Sequence, residues 1–141
     1  MAVLGTLQAF KEPSWTCWLD GNPFSPNTTT NLTLNRVDVC EFDDILSSAT
    51  SNHNLTVVAS GTTDNPFLFD EITYVPDDST ILDNATVAVD AFDDQIQYDS
   101  EWTKLGIEIG TEIGPEVVFM GTQTSVQGAS LTFDFVGALH S

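Results

Sequence analysis

Apolar and polar residues alternate along several short stretches of this chain, and no stretch keeps an apolar period of 3.6 residues. The segment 86–102 shows the alternation most fully. It predicts a strand with Val87 and Val89 on one face, then an acidic turn, then a second strand with Ile96 and Tyr98 on one face. Alternation with period two predicts half-buried β-strands, whereas an amphipathic helix needs the longer period.

The rest of the chain repeats this pattern between turn-forming residues. Asp20–Gly21 predicts a tight turn, and the alternation slips after Leu34, which predicts a bulge. Ile107 and Ile109 alternate, but three nearby glycines favour a loop equally. Many short strands joined by turns predict an all-β fold, a jelly-roll β-sandwich. The expected strands besides those of segment 86–102 are 2–9, 15–19, 32–40, 54–59, 67–75, 117–120 and 131–136.

Acidic residues dominate the charge of the 141-residue chain. It has 21 acidic residues against Lys11, Arg36 and Lys104, and its formal net charge is −18. Such a surface repels a phosphate backbone, so nucleic-acid binding is excluded, and anionic membrane surfaces are disfavoured for the same reason. The simplest role of this charge is solubility.

Two kinds of motif favour an extracellular or cell-surface location. The sequence contains four Asn-X-Thr triplets, and Cys17 and Cys40 form one candidate disulfide. Residues 1–5 are too short and lack a basic flank for a signal peptide, and no apolar run approaches 18 residues. Any export signal or membrane attachment is therefore expected in segments outside this chain. The candidate glycosylation sites are Asn27, Asn31, Asn54 and Asn84.

Five short motifs carry a resemblance to a known family. Residues 69–76 (FDEITYVP) resemble the last strand of galactose-binding-like jelly rolls, the fold of many carbohydrate-binding modules. The remaining motifs resemble strands and a turn in the repeats of fungal, mainly basidiomycete, cell-surface proteins. These are 89–98 (VDAFDDQIQY) followed by Trp102, 131–137 (LTFDFVG), 2–7 (AVLGTL) and 18–21 (WLDG).

The order of these motifs is inverted relative to the family. By the resemblance, residues 1–76 are the back half of a repeat, 77–85 a linker and 86–141 the front half. Either the chain spans two half-repeats, or the halves dock as a circular permutant with one core and neighbouring termini. We expect the second arrangement, one compact domain in which residues 2–7 pair with 131–137.

The resemblance also implies a candidate cation site. Several jelly-roll carbohydrate modules hold Ca²⁺ near their first and last strands, and Asp70, Asp90 and Asp93 match those strands. Calcium takes six to eight oxygen ligands, which carboxylates and loop carbonyls can supply. The alternative is that Asp70 is an ordinary strand carboxylate and that the two turn residues face water. No other cofactor is expected.

Catalytic chemistry has no recognisable set of residues in the sequence. His53 is expected in a loop, His140 lies near the C-terminus, and neither has a Ser or Cys setting that suggests a nucleophile. No pair of carboxylates stands out for glycoside hydrolysis. The sequence therefore predicts that the protein is not an enzyme.

Aromatic side chains are the candidates for ligand binding, because sugar rings stack on exposed aromatic faces. Trp15 and Trp18 are the candidate ligand-binding residues, whereas Tyr98 and Trp102 are expected in the core. The sequence favours a non-catalytic structural or adhesive module of a fungal cell-surface protein, with carbohydrate binding as the alternative. Its expected partners are glycans or other surface proteins.

Overall fold

The computed structural model describes residues 1–7, 14–24, 34–42, 51–76, 86–111 and 114–137, and all regular secondary structure in these ranges is β-strand. Among the predicted features, the sequons at Asn27, Asn31 and Asn84, the linker 77–85 and His140 lie outside the described residues. The strands are β1 (Ala2–Leu7), β2 (Ser14–Leu19), β3 (Asn22–Phe24), β4 (Leu34–Glu41), β5 (Ser51–Ser60), β6 (Phe67–Tyr74), β7 (Val87–Asp90), β8 (Ile96–Tyr98), β9 (Thr103–Thr111), β10 (Gly114–Thr124) and β11 (Gln127–Gly137).

The strands form two antiparallel sheets. Sheet A has the order β4-β1-β6-β10-β9, and β7 pairs with β6 off this path. Sheet B has the order β3-β2-β5-β11-β8. Strands from both 1–76 and 86–137 occur in each sheet, so the two halves of the described chain are interleaved.

Alternating side chains on the facing sides of the sheets build one shared core. On β11, Leu131, Phe133 and Phe135 are buried, as their spacing predicts. Val57 on β5 and Ile72 on β6 belong to the same cluster of buried residues. Two antiparallel sheets with a common apolar interior are consistent with a β-sandwich, so the predicted fold class is confirmed at this level.

The turn between β2 and β3 has the backbone conformation that its sequence predicts. Asp20 and Gly21 have φ angles of 52° and 78°. Positive φ at both central residues is the requirement of a type I′ hairpin turn, which Asp-Gly meets at low cost. Leu19 and Asn22 pair across this turn, so the hairpin begins directly beside it.

The slip in the alternation of β4 corresponds to irregular pairing with β1. The register shifts between Gly5 and Leu7, opposite the predicted bulge, and again between Val3 and Leu4. The second shift allows both Val39 and Cys40 to be buried although they are adjacent in sequence. This places the Cys40 sulfur inside the core.

Two contacts connect β2 of sheet B to β4 of sheet A. Cys17 and Cys40 form the predicted disulfide, with their Cα atoms 6.4 Å apart. Beside it, Trp15 Nε1 donates a hydrogen bond to the Val39 carbonyl at 2.7 Å. A covalent bond and a buried hydrogen bond therefore fasten the two sheets at one edge of the core.

Two expectations from the sequence are wrong, and one segment that the sequence left undecided is a strand. Residues 2–7 do not pair with 131–137, because β1 lies in sheet A between β4 and β6 while β11 lies in sheet B between β5 and β8. His53 is not in a loop, because β5 begins at Ser51. The glycine-containing segment left undecided is the strand β9, which pairs with β10 along most of its length.

Removing the disulfide should destabilise the fold. The bond closes a sequence separation of 23 residues, for which the chain-entropy relation gives roughly 3 kcal/mol. We expect the double variant Cys17→Ala/Cys40→Ala to lower the free energy of unfolding by that amount in urea titrations. The wild type after reduction should unfold at nearly the same urea concentration as this variant. An unchanged midpoint in both samples would contradict the stabilising role.

Candidate functional site

The side of sheet B that faces away from the core is a polar surface, here called the outer face. On β5 every second residue, His53, Leu55 and Val57, is buried. The residues between them must therefore point away from the core, and they form part of the outer face. The outer face consists of Thr16, Trp18, Asn52, Asn54, Thr56, Val58, Gln97, Ser130, Thr132, Asp134 and Val136, of which none is buried.

One row of this face crosses all five strands. Trp18 lies opposite Pro23 on β3 and Thr56 on β5. Thr56 lies opposite Thr132 on β11, and Thr132 lies opposite Gln97 on β8. Four strand spacings of about 4.8 Å make the row roughly 19 Å long. An indole, two hydroxyls and an amide thus follow one another across the sheet.

Trp18 is the large aromatic residue of this row. Its residue exposure is 37%, whereas Trp15, three residues earlier, is 8% exposed. Trp15 packs against Phe67, with ring centroids 5.6 Å apart, and its indole N–H is bonded inside the protein. Of the two predicted ligand-binding tryptophans, the structure therefore places Trp18 on an accessible surface and Trp15 in the core.

The outer face continues at one end into a groove of about 680 Å³. Asn54 and Asp134 contribute to both surfaces, and Asn54 Nδ2 donates a hydrogen bond to Asp134 Oδ1 at 2.7 Å. Thr56 Oγ1 in turn donates to Asn54 Oδ1 at 3.2 Å. The groove thus combines amide, carboxylate and aromatic side chains, including Asp20, His53, Asn54, Tyr74, Gln95 and Asp134.

Asp20 organises one wall of this groove. Its amide donates to the Asn54 carbonyl at 2.9 Å, and its Oδ1 accepts from the Asn54 amide at 2.9 Å. Its Oδ2 lies 2.7 Å from His53 Nδ1. Partial burial opposes ionisation, but the hydrogen bonds from Asn54 and His53 prevail and lower the pKa of the Asp20 carboxyl below its ordinary value of 3.8. An ionised carboxylate only accepts, so His53 Nδ1 carries the shared proton.

His53 lines the groove but is almost entirely covered by its neighbours. The residue is 4% exposed, and its ring lies 5.3 Å from the ring of Phe135. A histidine–carboxylate pair is also the orienting half of a catalytic triad. Here the pair connects the β2–β3 turn to β5, so its evident effect is to fix that turn against sheet B.

The aromatic residues expected in the core lie at its edge and are hydrogen-bonded there. Tyr98 and Trp102 are partly buried and pack against the core, with their ring centroids 5.4 Å apart. Tyr98 donates to the Ala91 carbonyl at 2.8 Å, and Trp102 Nε1 donates to the Ser130 carbonyl at 2.9 Å. Burial in this apolar setting raises the pKa of Tyr98, which remains neutral near pH 7.

The three predicted cation ligands occupy two neighbouring strands and a turn. Asp70 is 7% exposed and lies where the β1–β6 register shifts. Asp90 Oδ1 accepts from the Phe92 amide at 2.8 Å, and Asp93 Oδ1 accepts from the Gln95 amide at 2.9 Å. Within the described ranges, no group of three or more His, Cys, Asp or Glu residues is placed to hold a metal ion. The calcium site stays a prediction.

The sequence did not reveal the Asp20–His53–Asn54 cluster or the Asn54–Asp134 contact. Asp20 was predicted to lie in a turn, but no neighbouring residue indicated which groups its carboxylate would contact, because His53 is 33 residues away. The partner of Asn54 is 80 residues away. Only the pairing order of β2, β5 and β11 brings these groups together.

Comparisons with known proteins returned no relative. No protein-family model, no curated protein and no solved structure matches this chain. Among the described residues, no helix is long and apolar enough to cross a membrane.

The lowered pKa of Asp20 predicts part of the acid sensitivity of the fold. Because the carboxyl has a lower pKa when folded than its ordinary value, its ionised form contributes stability above about pH 4. This contribution is lost as pH falls through the folded-state pKa. We expect Asp20→Asn, which suits the positive φ of the turn, to unfold at lower denaturant concentration at pH 7 and to lose less stability on acidification.

Denaturant titrations from pH 7 to about pH 2 provide the measurement. Asp64→Asn is the matched control, because Asp64 is an exposed turn residue outside this cluster. A pH dependence of Asp20→Asn that parallels the wild type would show that the cluster adds no pH-linked stability.

Proposed function

We propose that this chain is a non-catalytic extracellular module with a structural or adhesive role. The observation that carries the proposal is the buried Cys17–Cys40 disulfide between the two sheets. Disulfides of this kind form and persist in oxidising compartments such as the secretory pathway and the cell surface. A net charge of −18 keeps such a module soluble and discourages association with nucleic acids and anionic membranes.

We also propose that the module is a galactose-binding-like jelly roll. A galactose-binding-like jelly roll from a repeat of basidiomycete cell-surface proteins has two antiparallel sheets, and the described part of this chain forms antiparallel sheets of six and five strands. The sequence motifs at 69–76 and 89–98 support this assignment. Other surface proteins and glycans are the proposed partners.

We propose that the groove is not catalytic because its histidine and its Asp20 carboxylate are engaged with each other. Its histidine is 4% exposed and uses Nδ1 to hold Asp20. Glycoside hydrolysis needs a carboxylic acid with a raised pKa beside an ionised carboxylate. At Asp20 the pKa shift runs in the opposite direction, which speaks against a general acid, and both carboxylate oxygens of Asp20 are already bonded to Asn54 and His53.

Expression in two compartments tests the extracellular assignment. We expect the chain to accumulate as a folded species when directed to a eukaryotic secretory pathway, with a mass 2 Da below that of the same chain after full reduction, because two hydrogens leave on oxidation. In a reducing cytosol the same chain should be less stable by the amount that the disulfide contributes. Equal stability and free thiols in both samples would contradict the proposal.

Carbohydrate recognition is the second candidate function. The outer face and the groove supply an exposed indole beside hydroxyl, amide and carboxylate groups, which is the chemistry that binds sugar rings and their hydroxyls. Trp18 is the residue on which such a ligand would stack.

Pull-down on insoluble fungal wall polysaccharides separates the two candidates. We expect no retention of the glycosylated chain if the module is structural. If the chain is retained, carbohydrate recognition through the outer face requires Trp18→Ala to weaken retention by roughly tenfold, the effect of losing about 1.4 kcal/mol of stacking. Val126→Ala is the control, because Val126 is 40% exposed but lies beyond the outer face, between β10 and β11. Retention that does not depend on Trp18 would exclude this face as the sugar site.

A further inference from the structure

The sequon Asn54-Leu55-Thr56 lies within β5 rather than in a loop. Its middle residue, Leu55, is fully buried, so Asn54 and Thr56 both point from the outer face. The glycan acceptor and the hydroxyl of the sequon therefore stand side by side on an accessible surface.

Trp18 stands next to this sequon on the neighbouring strand. It pairs directly with Thr56, so Asn54 is its diagonal neighbour. Diagonal neighbours in an antiparallel pair lie about 7–8 Å apart, within reach of aromatic and long side chains. A sugar attached to Asn54 thus emerges beside an indole that is 37% exposed.

The hydrogen bonds of Asn54 are compatible with its modification. Nδ2 has two hydrogens and donates one to Asp134 Oδ1 at 2.7 Å. N-glycosylation forms a bond from Nδ2 to the sugar C1, breaks the bond from C1 to the diphosphate of a lipid-linked donor, and releases one amide proton and the lipid diphosphate. One hydrogen remains on Nδ2, so the contact with Asp134 can persist.

We propose that Asn54 carries an N-linked glycan whose first sugar packs on Trp18. Thr56, directly opposite Trp18, offers its hydroxyl oxygen to the same sugar. In this arrangement the exposed indole is covered by the protein's own glycan and is not a site for external carbohydrate. The inference depends on the proposed extracellular function, because the modification occurs in the secretory pathway.

The test compares two glycosylation states of one sequence. A chain carrying Asn27→Gln, Asn31→Gln and Asn84→Gln retains only the Asn54 sequon. One sample is secreted from eukaryotic cells, and its glycan is then trimmed enzymatically to the first sugar. The other sample is produced in a bacterial periplasm, where the chain is oxidised but unglycosylated. Mass spectrometry of the secreted form gives the occupancy of Asn54.

We expect Asn54 to be occupied and the trimmed form to melt about 2–5 °C above the unglycosylated form, as stacking on an aromatic ring predicts for a domain of this size. Trp18→Ala should abolish this difference, Trp18→Phe should keep most of it, and Val126→Ala should keep all of it. An unoccupied Asn54, no rise in melting temperature, or an equal rise in Trp18→Ala would overturn the inference.

Failure of the inference is distinguishable from failure of the proposed function. A chain that is secreted and oxidised but shows no coupling between Asn54 and Trp18 leaves the extracellular assignment intact. Binding of soluble wall oligosaccharides to the unglycosylated chain through Trp18, with Asn54 unoccupied in the secreted form, would assign the indole to an external ligand instead.

Discussion

The register between β5 and β11 determines which side chains this protein presents to solvent. The two strands pair from Ser51–Gly137 to Ser60–Gln127, and every second residue faces the core. A slip of one residue would turn Leu55 and Phe133 outward and Asn54 inward, at a large cost in apolar burial. The register that buries the apolar residues of β5 and β11 therefore also places their polar residues on the outer face.

The two contacts between β2 and β4 stabilise the packing of the two sheets against the repulsion between the many acidic side chains. A net charge of −18 favours expanded states through self-repulsion. The Cys17–Cys40 bond restricts the unfolded chain, and the indole N–H of Trp15 donates a hydrogen bond to the Val39 carbonyl across the core. Both contacts start from the inward face of β2, whose outward face carries Trp18. Stability and the candidate site thus depend on the same strand.

Local patterns in the sequence predicted those parts of the fold that local chemistry determines. The inward positions of β11, the Asp20–Gly21 turn and the irregularity in β4 all follow from side-chain alternation or backbone preference. β9 was undecided because its glycines favour a loop, and pairing with β10 overrides that preference. The partner of β1 was wrongly predicted because sheet order depends on contacts between distant segments. The contacts of Asp20 and Asn54 depend on that order too, so the groove could not be predicted.

Alternation along β2 buries Trp15 and exposes Trp18. Oxidation of the unglycosylated native protein with limiting N-bromosuccinimide, followed by peptide mass mapping, measures the accessibility of each indole. The structure predicts rapid oxidation of Trp18, which is 37% exposed, and protection of Trp15, which is 8% exposed and hydrogen-bonded to Val39. Oxidation of Trp15 before Trp18 would contradict the account, since it would mean that the opposite face of sheet B is turned to solvent.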